Sequence, residues 1–195
     1  MTSHDVLIEE IIKQKTQLSD LYLQHYTRYE IFSWVWWLLV ALMIIPFIAW
    51  WKQADKKRLP EICLFGMFIA LCATLLDVIG SELALWEYEV RIFPEIPLII
   101  PVNFIILPVT GMILYQNFSN WGRFVLAAAI ASTAQSFVAE PLAVWIGQYR
   151  LIHWEYVYSL PIYLLIYISA KFLVERVKKI QASPGNKKER PLRKR

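Results

Sequence analysis

The chain predicts an all-α, polytopic membrane protein: a five-helix transmembrane bundle preceded by an N-terminal amphipathic helix. Three observations carry this reading. Hydrophobic residues make up 57% of the 195 and mean hydropathy is +0.42, while charged residues, at 18%, fall below the roughly 25% of soluble domains. Five apolar stretches each reach about 20 residues, the length an α-helix needs to cross the hydrocarbon layer. Nine Trp gather near the ends of these stretches, where an indole keeps its ring in the apolar phase and its N–H in water. Three segments follow: 1–30, amphipathic; 31–175, the five-span membrane domain; and 176–195, a basic, disordered tail.

In the first segment Leu7, Ile8, Ile11, Ile12, Leu18, Leu21 and Tyr22 recur near helical spacing among acids and lysines. Thr2 with Asp5 resembles a capping box. This helix lies on the membrane, rests on its own bundle, or binds a partner. It has no basic n-region followed by a short apolar core and a small-residue cleavage site, so it does not read as a signal peptide. Span one, 31–51, has Trp34, Trp36 and Trp37 at one end, Trp50 and Trp51 at the other, and Pro46 bending it. Spans two to five are expected at about 61–85, 95–115, 122–146 and 154–174. Trp86-Glu87-Tyr88 recurs as Trp154-Glu155-Tyr156, each after an even-numbered span with a buried acid, which suggests two repeated hairpins.

Orientation follows from basic residues. Lys52, Lys56, Lys57 and Arg58 occupy the first loop, and nine Lys or Arg lie after Glu175. Five spans put both segments on one side, so the positive-inside rule places the N-terminus outside and the C-terminus inside the cytoplasmic (plasma) membrane. The expected partners are the lipid bilayer, anionic lipid headgroups at the C-terminal tail, and a second copy or another membrane protein. Nucleic acid is not expected, because a basic tail without a fold to place it in a groove is poor evidence. Cys63 and Cys72 fall on opposite helix faces and read as packing residues. His4, His25 and His153 are scattered, so no metal site or cofactor is assigned.

The organising stretch runs from Leu75 to Gln116. An ionisable side chain in a span costs at least ~2.5–3.5 kcal/mol at mid-bilayer, so it normally faces protein or water. Asp77 and Ser81 share a face of span two, Asn103 sits in mid-span three, and Ser132, Gln135, Ser136 and Glu140 form a stripe on span four. Asp77, Ser81, Asn103, Gln135, Ser136 and Glu140 are therefore the candidate binding residues. Trp86, Tyr88, Trp154 and Tyr156 are candidate interface anchors. No catalytic residue is assigned. No Lys or Arg shares this depth, so the acids are expected to meet neutral polar groups, water, a cation or a proton. That predicts a small hydrated pocket opening outward, floored by Asn103 and Gln135 and roofed by Trp86 and Trp154, in which Asp77→Asn keeps the fold. Two readings stand side by side: polar packing between helices, or a site for a substrate, ion or proton.

On Asp77 followed by Leu85-Trp86-Glu87-Tyr88, the proline-marked span with Pro101 and Pro108, the polar span with Glu140, and Trp154 opening the last span, residues 75–175 resemble a family of small multi-span membrane proteins of spore-forming Gram-positive bacteria. The resemblance implies membrane class and transfers no catalytic residue. Phe93-Pro94-Glu95 is similar to a motif of the small polytopic carotenoid cyclases, which carry paired acids where Ile96 follows Glu95 here. Three functions remain: a non-enzymatic scaffold or sensor, a transporter of small molecules or ions (or its subunit), and an enzyme on a lipid-soluble substrate.

Overall fold

The computed structural model describes residues 3–94 and 96–182. Thr2 of the expected capping box, Glu95 of the cyclase-like motif and, from residue 183, the tail expected to meet lipid headgroups lie outside the described residues. Helix α1 (Ser3–His25) runs on through a π-helical turn, Tyr26–Glu30. Four further helices are long and apolar enough to cross a membrane: α2 (Trp34–Gln53), α3 (Leu59–Glu82), α5 (Trp121–Trp145) and α6 (Tyr156–Ala182). Between α3 and α5 lies α4, a π-helical segment (Pro101–Ile106) continued as α-helix (Leu107–Asn117). Its apolar part, Val102–Asn117, is shorter than the other four.

Local chemistry sets the helix starts. The Ser33 hydroxyl accepts the Trp36 amide at 3.1 Å and the Asn120 side chain accepts the Arg123 amide at 3.2 Å, each satisfying a first-turn N–H that has no helical partner. Pro60 opens α3, where its missing N–H costs nothing. Pro46 and Pro161 lie inside α2 and α6.

Proline also explains the π-helical segments inside the bundle. Pro108 and Pro141 lack the N–H that would bond the carbonyls of Phe104 and Phe137, and their rings crowd those carbonyls. The backbone widens just ahead of each, at Pro101–Ile106 and Gln135–Ala139.

α3 and α4 run antiparallel. Asn103 at the start of α4 bonds Asp77 near the end of α3, and Arg58 just ahead of α3 bonds the Gln116 carbonyl at the end of α4. The core between them is built on close approach: a Cβ on Gly111 would stand 2.3 Å from Ile69 Cδ1, and one on Gly66 2.7 Å from Met112 Sδ. Phe65, Phe124, Tyr167 and Val174 join α5 and α6 to this core, and Ala128 and Ser132 of α5 are fully buried. Cys63 and Cys72 are unpaired and half-buried against it.

Charges gather at the end of the bundle where α3 begins and α6 finishes. Glu61 pairs with Arg58 and Lys178. Lys171, 1% exposed, donates to the carbonyls of Phe118 and Ser119 at 3.1 Å beyond α4. Positive charge is favourable against terminal helix carbonyls.

The described residues are mostly helical, as expected, with one short addition: β1 (Trp86–Tyr88) pairs antiparallel with β2 (Tyr149–Leu151), Tyr88 opposite Tyr149. Two expectations change. The second Trp-Glu-Tyr copy instead lies across the loop and the first residue of α6, so the two tripeptides are not structural equivalents. The expected tail from 176 is helical as far as Ala182, because Glu61 and Glu175 hold Lys178 and Lys171 and continue the helix beyond the apolar stretch.

α1 buries none of its residues. The turn after it is tied down firmly. Glu30, 1% exposed, accepts the Arg91 amide at 2.6 Å and lies 2.8 Å from His25 Nδ1. Tyr26 donates to the Ile92 carbonyl, and the Arg91 guanidinium lies 4.1 Å from the centre of the Tyr22 ring.

Candidate functional site

At the end of the bundle where α3 and α5 finish and α4 and α6 start, the helices leave a cavity of about 540 Å³, bounded by β1 and β2. Leu38, Leu42 and Leu76 contribute to its apolar walls. Its polar groups come from α3, α4, α5, α6 and both strands.

Asp77, 6% exposed, is placed by the last turns of α3. The chain then reverses through Ala84, which holds a left-handed φ of 51°, and returns as β1 over the same helix face. Gly80 makes the return possible: a Cβ there would be 2.0 Å from the Trp86 ring. The Trp86 indole N–H therefore reaches Asp77 at 3.1 Å and the Tyr88 hydroxyl donates to the same oxygen. The other oxygen accepts the Asn103 side chain at 2.5 Å and the Ile99 amide at 3.2 Å. All four donors are neutral. They replace water around a group that only accepts when ionised. Burial, and next the Asp77 carboxylate, push the Tyr88 phenol well above its ordinary range.

Glu140 is half-buried. The Tyr163 hydroxyl donates to it at 2.6 Å and the Ser159 hydroxyl at 3.0 Å, while Trp154 donates its indole N–H to Ser159 at 2.9 Å. Gln135 bonds the Tyr167 hydroxyl at 2.8 and 3.0 Å. Burial, and next Glu140, push the Tyr149 phenol upward. The rings of Trp86 and Trp154 meet edge to face with centroids 5.1 Å apart.

Compared with protein-family models, with curated proteins and with solved structures, the chain matches none. The residues themselves must therefore carry the functional reading.

Four of the six predicted binding residues, Asp77, Asn103, Gln135 and Glu140, line this one cavity, and so do Trp86, Tyr88 and Trp154. Ser81, Ser136 and Tyr156 lie outside its lining. Ser136 is fully buried, its hydroxyl without a partner among the described residues. Trp86 and Tyr88, expected as interface anchors, also hold Asp77. Sequence reading missed Tyr149, Ser159, Tyr163 and Gln148, which also line the cavity. A tyrosine near a span reads from sequence as an interfacial ring. Pro141 was the overlooked cue, since it marks the widened backbone that carries Gln135.

Proposed function

We propose that the protein is a non-enzymatic integral membrane protein that holds a small, lipid-soluble molecule in this cavity and acts as a sensor. The observation that carries the reading is the cavity itself, apolar over most of its wall with a few convergent polar groups, the usual character of a small-molecule site. A physical connection supports sensing. Tyr88 donates to Asp77 in the cavity, while its carbonyl accepts Arg91, the residue whose amide is held by Glu30 and whose guanidinium covers Tyr22. Occupancy and the position of the N-terminal segment are thus joined through one strand.

We place the cavity toward the outer face of the cytoplasmic membrane, with five crossings, N-terminus out and C-terminus in. The antiparallel run of α4 beside α3 supports the fifth crossing. Val102–Asn117 is 16 residues, or about 24 Å at 1.5 Å per residue, shorter than the ~30 Å hydrocarbon layer. The segment ahead of it completes the passage. Basic Arg58, Lys171 and Lys178 at the opposite end support the orientation. The resemblance to small multi-span proteins of spore-forming bacteria belongs to the same reading. Transport is the second reading, favoured by the two π-helical segments beside the cavity, a feature frequent at functional sites.

The test uses the full chain in lipid nanodiscs. Extraction and mass spectrometry identify co-purifying molecules, and tryptophan fluorescence, to which Trp86 and Trp154 in the wall contribute, follows titration with neutral, cationic and anionic lipophiles. Saturable binding that Ala143→Phe, a substitution in the cavity wall, abolishes is the expected result. Absence of saturable binding in every charge class, with nothing co-purifying, overturns the proposal. Proteoliposome uptake of a bound compound separates transport from sensing.

A further inference from the structure

Resting on the proposed binding role, we propose that the occupant is a lipophilic organic cation, an apolar body with an ammonium-like or other onium head, selected by Asp77 and Glu140 and by the aromatic rings around them.

Charge comes first. The cavity is lined by two carboxyl groups and, among the described residues, by no Lys, Arg or His. Arg91, the nearest buried cation in sequence, is committed to Glu87 and to the carbonyls of Tyr88 and Pro94, outside the lining. Neutral donors surround both acids, so each, when ionised, presents negative charge with no cationic side chain to balance it, and an entering cation favours that ionised form. In a low-dielectric setting such charge attracts a cation and repels an anion over several ångströms without direct contact.

The two acids differ in what they have left to offer. An ionised carboxylate has about four acceptor positions. The four donors on Asp77 fill them. Glu140 accepts Tyr163 and Ser159, with the Tyr149 hydroxyl as a third partner, so it holds one donor fewer than Asp77 and keeps an acceptor position free. Glu140 is therefore the contact residue and Asp77 a fixed charge behind it.

The rest of the wall identifies the cation as organic. Trp86, Trp154, Tyr88, Tyr149 and Tyr163 all line the cavity, and ring faces attract onium heads. A hard metal ion wants six or more oxygen ligands for Ca²⁺, or near-octahedral oxygen for Mg²⁺, and this wall is mostly carbon. About 540 Å³ instead suits a molecule of drug-like size. One further group points to a ligand. Gln148 lines the cavity at 2% exposure, and its amide nitrogen has no partner among the described residues. A buried donor of this kind is satisfied by an acceptor atom on the occupant.

The experiment compares three probes of similar shape on nanodisc-embedded protein, with empty nanodiscs subtracted: tetraphenylphosphonium (cation), triphenylphosphine oxide (neutral) and tetraphenylborate (anion). The expected result is saturable tryptophan quenching by the cation, with affinity about tenfold or more above the oxide and no saturable binding of the borate. Glu140→Gln should bring the cation to within about threefold of the oxide. Equal or tighter binding of the oxide overturns the inference and leaves the binding role standing. Absence of saturable cation binding also overturns it, whatever the screen of other lipophiles finds. An unchanged preference in folded Glu140→Gln overturns the assignment of the contact to Glu140. The wild-type comparison stands even if that variant does not fold.

Discussion

Gly80 and Trp86 are fitted to each other: a single methyl group on the glycine would overlap the indole ring, at 2.0 Å from Cη2. The benzene part of the indole packs on α3 at Gly80, one turn beyond Asp77, and its N–H lies 3.1 Å from the carboxylate. A backbone feature of the helix thereby sets the geometry of the acid.

Gly80→Ala should therefore displace Trp86 rather than unfold α3. Crowding of this kind typically costs about 1–3 kcal/mol. Thermal unfolding in detergent should show that loss, and tryptophan emission should shift toward the red as the ring leaves the cavity wall. Unchanged stability together with unchanged emission would contradict the packing of this ring on Gly80.

Asp77→Asn should destabilise the protein, contrary to the expectation from sequence that an amide substitutes well. The carboxylate faces four donors. An amide offers one oxygen, and its NH₂ must point at two of them. Tyr88 can rotate its hydroxyl to accept, but the Trp86 N–H cannot, and a buried unsatisfied donor costs roughly 1–3 kcal/mol. Asp77→Leu strips the acceptor from all four and should be worse. Unfolding midpoints of the two variants check the order; equal stability of wild type and Asp77→Asn would contradict this account.

Glu30→Ala should release the N-terminal segment while the bundle stays folded. It removes the acceptor of the buried Arg91 amide and the partner of His25. Hydrogen exchange over residues 22–30 and 88–92 should rise together, with little change in α3 to α6. Protection that stays as in the wild type would mean other contacts hold the segment.

Tyr88 makes the site sensitive to strong alkali. Its phenol is held well above the ordinary value of 10.0, by burial and then by Asp77. A raised folded-state value means this contribution to stability is fully present below about pH 10 and is lost as pH rises through the folded value. Spectrophotometric titration should show Tyr88 ionising late and together with loss of structure. Tyr88→Phe should remove that late step. Early ionisation of Tyr88, before any structural change, would show the phenol to be open to solvent.

Length and hydropathy are local properties of a chain, and they were enough to mark four helices able to cross a membrane and to single out α4 as proline-rich. They also named the acids, because a carboxyl group in an apolar run is costly wherever the helices go. The partners of these acids come from the packing of the helices. Asp77 meets Asn103 across 26 residues and Glu140 meets Tyr163 across 23, and such pairs depend on how each helix is rotated and placed. Pairing of Trp86–Tyr88 with Tyr149–Leu151 depends on two turns that hydropathy does not register. Composition alone requires that these acids be buried with company. Which side chains keep that company, and that a cavity remains between them, follows from packing that no local stretch encodes.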